Sequence, residues 1–93
     1  MSDPKTLRDE IHAAILEMGG SPDVEGIRKA RVLIVRFRET LIHDSNKQRC
    51  FRATQRLDKA LTFKTDRKKK ELVDEAWRKL YSMVLPEKRF KRA

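Results

Sequence analysis

Apolar residues recur at a helical period along the first twenty positions. Leu7, Ile11, Ala14, Ile15 and Met18 follow one another at steps of 4, 3, 1 and 3, which places them on one face at about 100° per residue. Asp3 reads as an N-cap, with Pro4 at the first helical position, where its missing N–H costs nothing. Gly19-Gly20 stops the pattern, because glycine enters the left-handed cap conformation freely. The pattern predicts an amphipathic helix over residues 4–18.

Ser21-Pro22-Asp23 is a second start signal of the same kind: cap, proline, then an acid in the first turn. Ile27, Ala30, Leu33, Ile34, Phe37 and Leu41 then share one broad face. Gly26 lies in the first turns and weakens them by up to ~1 kcal/mol. Asp44-Ser45-Asn46 favours caps and turns, yet residues 47–57 hold no glycine or proline to force a break. The apolar face shifts phase there, toward Cys50, Phe51, Leu57 and Leu61. The favoured reading is one long helix over about 22–60, straight or bent, with two separate helices as the alternative.

Thr62–Lys70 reads as a polar, basic connector. Thr65 or Asp66 is placed to cap a last helix over 66–85 that carries Leu72, Val73, Ala76, Trp77, Leu80, Tyr81 and Val84. Its first turn, Arg67-Lys68-Lys69-Lys70, has the wrong sign for the helix macrodipole and is expected to fray. Pro86 ends the pattern, and residues 86–93 are expected to form a basic flexible tail. Strand alternation and internal repeats are lacking. The fold expected is all-α, a single domain over 1–85, made of a helical hairpin with a long second helix plus a C-terminal helix.

Charge changes the picture. Lys and Arg number 23 against 14 Asp and Glu, a net charge of +9. Arginine is used heavily through the middle of the chain, which favours a polyanionic partner over a merely solubilising surface. Cys50 is the one cysteine, so no internal disulfide forms, and a lone thiol fits a reducing compartment. His12, His43 and Cys50 lack metal-ligand spacing, and neither a metal nor any other cofactor is expected. Met1-Ser2-Asp3-Pro4 lacks the pattern of a secretion signal, and no apolar run approaches the ~20 residues that cross a bilayer. A cytoplasmic protein without membrane contact is expected. Glu10, His12, Glu17 and His43 form no recognisable acid–base pair and no phosphate-binding glycine loop occurs, so neither enzymatic activity nor a small-molecule substrate is expected. The two histidines read as surface residues.

With Ile27 at 0° on a continuous helix, Arg31, Arg38, Ser45, Arg49, Arg52 and Arg56 fall within about 40° of one line. Arg31 to Arg56 then spans roughly 37 Å, about one turn of a duplex met along its axis. The same stripe also reads as a solvated flank whose arginines pair with Glu39 and Asp58. The first helix, about 22 Å long, is too short to cover such a second helix. A second copy packed antiparallel is therefore expected, giving a homodimeric four-helix bundle.

The acidic start Asp23-Val24-Glu25 repels phosphate and argues against a recognition helix entering the DNA major groove. Single-strand binding requires aromatic stacking platforms, whereas Phe51, Trp77 and Tyr81 read as packing residues. Backbone and shape recognition of a duplex remains, as suits A-form RNA.

The stretch Gln48-Arg49-Cys50-Phe51-Arg52-Ala53-Thr54, late in a long helix, resembles the RNA-silencing suppressor of insect nodaviruses. So does the layout before it: Leu7, Asp9 and Ile11 opening a helix, a stop at Met18-Gly19, then a long second helix. The resemblance covers about residues 7–60; the segment 66–85 and Ile34 depart from it. It implies a small cytosolic homodimer lying along double-stranded RNA, shielding it from the host's dicing nuclease. It also implies that Arg49 and Arg52 contact phosphate and ribose, with upstream contacts at Arg31 or Arg38. Two rival readings are a phage or plasmid protein that binds a host protein through its basic face, and a DNA-binding regulator.

Overall fold

The Asp3 carboxylate accepts a hydrogen bond from the Thr6 amide at 2.8 Å, which holds its pKa below the usual carboxylate value and starts helix α1, Pro4–Met18. Gly19 closes α1 at φ 58°, the left-handed conformation that glycine adopts without strain. This helix and both its caps match the pattern. The computed structural model describes residues 3–85 and Glu87; the expected basic tail falls largely outside the described residues.

Helix α2 spans Val24–Glu39. Its cap is Asp23, whose side chain accepts from the Gly26 amide at 2.7 Å, rather than Ser21. Gly26 has a purpose beyond helix propensity: a Cβ there would stand 2.6 Å from Met18 Cγ and 2.7 Å from the capping Asp23 Oδ1. The absence of a side chain lets the end of α1 pack over the start of α2 without displacing the cap.

The expected continuous second helix does not form. α2 stops at Glu39 and a third helix, α3, runs from Asp44 to Ala60. The break lies just before Asp44-Ser45-Asn46, where turn-forming residues cluster. The Thr40 amide donates back to Arg38 and Phe37, and His43 turns extended at φ −82°, ψ 132°. The phase shift in the apolar pattern supplies the reason. On one continuous helix Ile34 and Phe37 would face about 340° and 280°, whereas Cys50 and Leu57 would face about 140° and 120°. Two apolar faces on nearly opposite sides cannot share one core unless the chain folds back. Each buried Leu or Phe is worth about 1.5–3 kcal/mol, far more than a few interrupted backbone hydrogen bonds cost once Thr40 and its neighbours re-satisfy them.

Helix α4 spans Asp66–Tyr81. Thr65 is the cap and accepts from the Lys68 amide at 3.4 Å. α4 ends short of the expected residue 85. Arg8, reaching across from α1, donates to the carbonyl oxygens of Leu80 and Met83, so the end of α4 is satisfied by a side chain 72 or more positions away in sequence. The chain then turns and buries Met83.

Among the described residues the fold is four α-helices without strands. Neighbours in sequence pack antiparallel, as the pairs Lys29–Glu17, Arg31–Asp58 and Arg56–Glu75 show, and α1 meets α4 to close the ring. One core unites Leu7, Ile11 and Ile15 of α1, Ile27, Ile34 and Phe37 of α2, Cys50 and Leu57 of α3, and Leu72, Val73 and Leu80 of α4. The four-helix core expected from two chains is thus completed within one, because the expected long helix is split and its later half, α3, folds back onto the core.

Three aromatic or imidazole side chains depart from expectation. Phe51 and Tyr81, read as packing residues, are 43% and 70% exposed. His12, read as a surface residue, is half-buried and stacks on Trp77 with ring centroids 4.4 Å apart and planes 4° from parallel. That stack joins α1 to α4.

α3 has no side-chain cap of its own. Glu87, from beyond α4, accepts hydrogen bonds from the Ile42 and His43 amides at 2.6 and 2.9 Å and from Asn46 Nδ2 at 2.9 Å. Burial alone pushes its carboxyl up, but these three donors outweigh burial and leave the pKa below its ordinary 4.5. A folded-state pKa below the unfolded value stabilises above that value and is lost as pH falls through it. Glu87→Gln is therefore expected to lower Tm at pH 7, with a smaller difference from the parent at pH 3. Thermal melts followed by circular dichroism at the two pH values check this; an equal difference at both would rule it out.

Candidate nucleic-acid interface

Ser45, Arg49, Arg52 and Arg56 follow one another along α3 at steps of 4, 3 and 4, one line down the helix. The buried residues Cys50, Ala53, Leu57 and Ala60 occupy the neighbouring face, so the line emerges at the flank turned toward α4. From that helix Glu75, Arg78 and Lys79, and Ser82 at its C-cap, face it, and together with Arg49, Arg52 and Arg56 they line one open groove. Arg49 Nη1 donates to Ser82 Oγ, and Arg56 Nε stands 3.5 Å from Glu75 Oε2. The Arg56–Glu75 ion pair is about half exposed, and a surface ion pair of this kind is worth under about 1 kcal/mol. The groove therefore holds five cationic side chains and one carboxylate. Arg52, Arg78 and Lys79 form no ion pair among the described residues, which leaves their charge for a ligand.

The structure divides the predicted stripe. Arg31 Nε lies 2.8 Å from Asp58 Oδ1, and Asp58 stands about 120° around α3 from Arg52, on the flank turned toward α2. Arg31 and Arg52 thus lie on different sides of α3, and the 37 Å cationic line expected from Arg31 to Arg56 does not exist. Arg38 is exposed near the end of α2, where its positive charge is felt by Cys50, away from the groove. Ser45, exposed in the first turn of α3, extends the line without reaching the groove. Arg49, Arg52 and Arg56 are brought together as predicted.

Arg78 and Lys79 were missed by the sequence reading. Their spacing from Glu75 and Ser82 places all four on one side of α4, a signal present in the sequence. Which helix that side would face depends on the fold-back at residues 40–43.

None of the described aromatic side chains lines the groove. Trp77 and Tyr81 are on the α1 side of α4, engaged with His12 and with each other, and Phe51 is on the α2 side of α3. Base stacking has no platform among the described residues. Cys50 is buried; burial pushes its thiol up to about 12, slightly offset by Arg38 and slightly reinforced by Glu87. It is held as a neutral thiol, unsuited to act as a nucleophile. Among the described residues no group of three His, Cys, Asp or Glu side chains is gathered to hold a metal ion, and no helix is long and apolar enough to cross a membrane. No protein-family model, curated protein or solved structure matches this chain.

Proposed function

We propose that the protein binds the phosphate backbone of a nucleic-acid duplex in the α3–α4 groove, with double-stranded RNA as its ligand. One observation carries the reading: five cations from two helices converge on one surface that no described aromatic side chain lines. Arg49 to Arg56 spans about 10 Å of helix, and over that length a duplex presents about six phosphates. Guanidinium groups suit such a ligand because each donates in a planar fork to phosphate oxygens. The preference for RNA rests on the resemblance of residues 48–54 to the nodavirus suppressors. On that reading the protein acts as a homodimer in the cytoplasm of an infected cell, shielding duplex RNA from the host's silencing machinery.

Gel shifts with double-stranded RNA, double-stranded DNA and single-stranded RNA of matched length test it. Tight, sequence-independent binding to the RNA duplex is expected, with a salt dependence of log affinity of about −4.5 for five neutralised phosphates. Binding that prefers single strands, or that is insensitive to salt, would refute the proposal.

A further inference from the structure

The outer face of α2 carries a pattern that the monomer does not use. Arg28, Val32, Val35 and Glu39 follow at steps of 4, 3 and 4, the alternation of a coiled-coil seam. They point away from the core-facing Ile27, Ala30, Ile34 and Phe37 of the same helix. Val32 is 50% exposed and Val35 37%, so two β-branched side chains stand in water between two charges. Arg28 and Glu39 are exposed, and neither side chain makes an ion pair or hydrogen bond among the described residues.

We infer that this face is an interface with a second copy of the chain, α2 packing antiparallel on the partner's α2 about a twofold axis between Val32 and Val35. The register follows from the spacing. Such an axis sets Val32 against the partner's Val35, and the same rotation sets Arg28 against the partner's Glu39 and Glu39 against the partner's Arg28. An isologous contact requires a patch complementary to itself, and this one is: four valines at the centre, flanked by two opposite-charge pairs. Another occupant would need its own row of apolar side chains with the same charges in the same reversed order, a requirement a second copy meets automatically. The surface differs from that of the expected dimer, in which a second chain was needed to complete the core; here each core is already complete.

The inference rests on the homodimeric reading above and names its surface. Sedimentation velocity of the full chain without nucleic acid tests it, over about 1–300 µM, a range suited to a short seam of this kind. The parent protein is expected to dimerise within that range. Arg28→Glu alone, or Glu39→Arg alone, places like charges opposite each other twice in the dimer and is expected to weaken it at least about tenfold. Combining the two restores opposite charges, and dimerisation is expected to return to within about threefold of the parent. All three variants alter exposed side chains, and far-UV circular dichroism verifies that each keeps the parent's helicity. A parent protein that stays monomeric throughout overturns both the surface and the homodimeric reading. A dimer indifferent to Arg28→Glu, or a double variant that fails to recover, overturns this surface alone.

Discussion

Replacing Arg49, Arg52 and Arg56 together with alanine is expected to abolish useful duplex binding, lowering affinity by about a hundredfold or more near 0.1 M salt and reducing the salt slope by about three. The magnitude follows from counterion release, since each cation removed from a phosphate forfeits one released ion. The loss should be the same for any sequence, because backbone contacts carry no base information. Arg31→Ala supplies the contrast. On a continuous second helix Arg31 would belong to the same contact line and its loss would weaken binding. In the observed fold it faces Asp58 on the other side of α3, and duplex affinity is expected to stay within about twofold. Titrations of the triple and single variants at several salt concentrations decide between the two geometries. A triple variant with the parent's affinity would remove the groove from the ligand's path.

The largest expected effect on folding comes from Phe37→Ala. Phe37 is fully buried where α2 meets the rest of the core, and truncating a buried phenylalanine costs about 3–5 kcal/mol in lost burial and cavity formation. A domain of this size has a total stability near the low end of about 5–15 kcal/mol, so most of it is removed. Tm is expected to fall by roughly 15–30 °C, read by thermal melting. Phe51→Ala, one helix away and 43% exposed, is expected to cost under about 1 kcal/mol. Comparable losses at the two sites would mean that Phe51 is buried after all.

That contrast shows where legibility stopped. Phe37 and Phe51 are both aromatic residues in strongly helical sequence, and both read as packing residues. Phe37 recurs with Ile27, Ala30, Ile34 and Leu41 at helical steps, so its burial could be read from spacing alone. Phe51 adjoins Cys50, and only one of two adjacent helical residues can sit at the centre of a buried face. The turn toward the core was taken by Cys50, a choice that depends on which side of α3 meets the other helices.

The sequence by itself determined the helical class, the caps Asp3 and Gly19, the start signals at residues 21–23 and 65–66, and the line of Arg49, Arg52 and Arg56. Each of these is a matter of a few neighbouring residues: a side chain reaching an amide three positions on, a glycine free to turn left-handed, a period of 3.6. Tertiary structure decided the break at residues 40–43, the pairing of Arg31 with Asp58, the closure of α4 by Arg8 and of α3 by Glu87, and the meeting of Arg78 and Lys79 with the α3 arginines. These depend on residues from 22 (Arg56 to Arg78) to 75 (Arg8 to Met83) positions apart and on the burial of two opposed apolar faces in one core. No local propensity at Thr40 or His43 encodes that gain, because it arises only when the distant helices are in place.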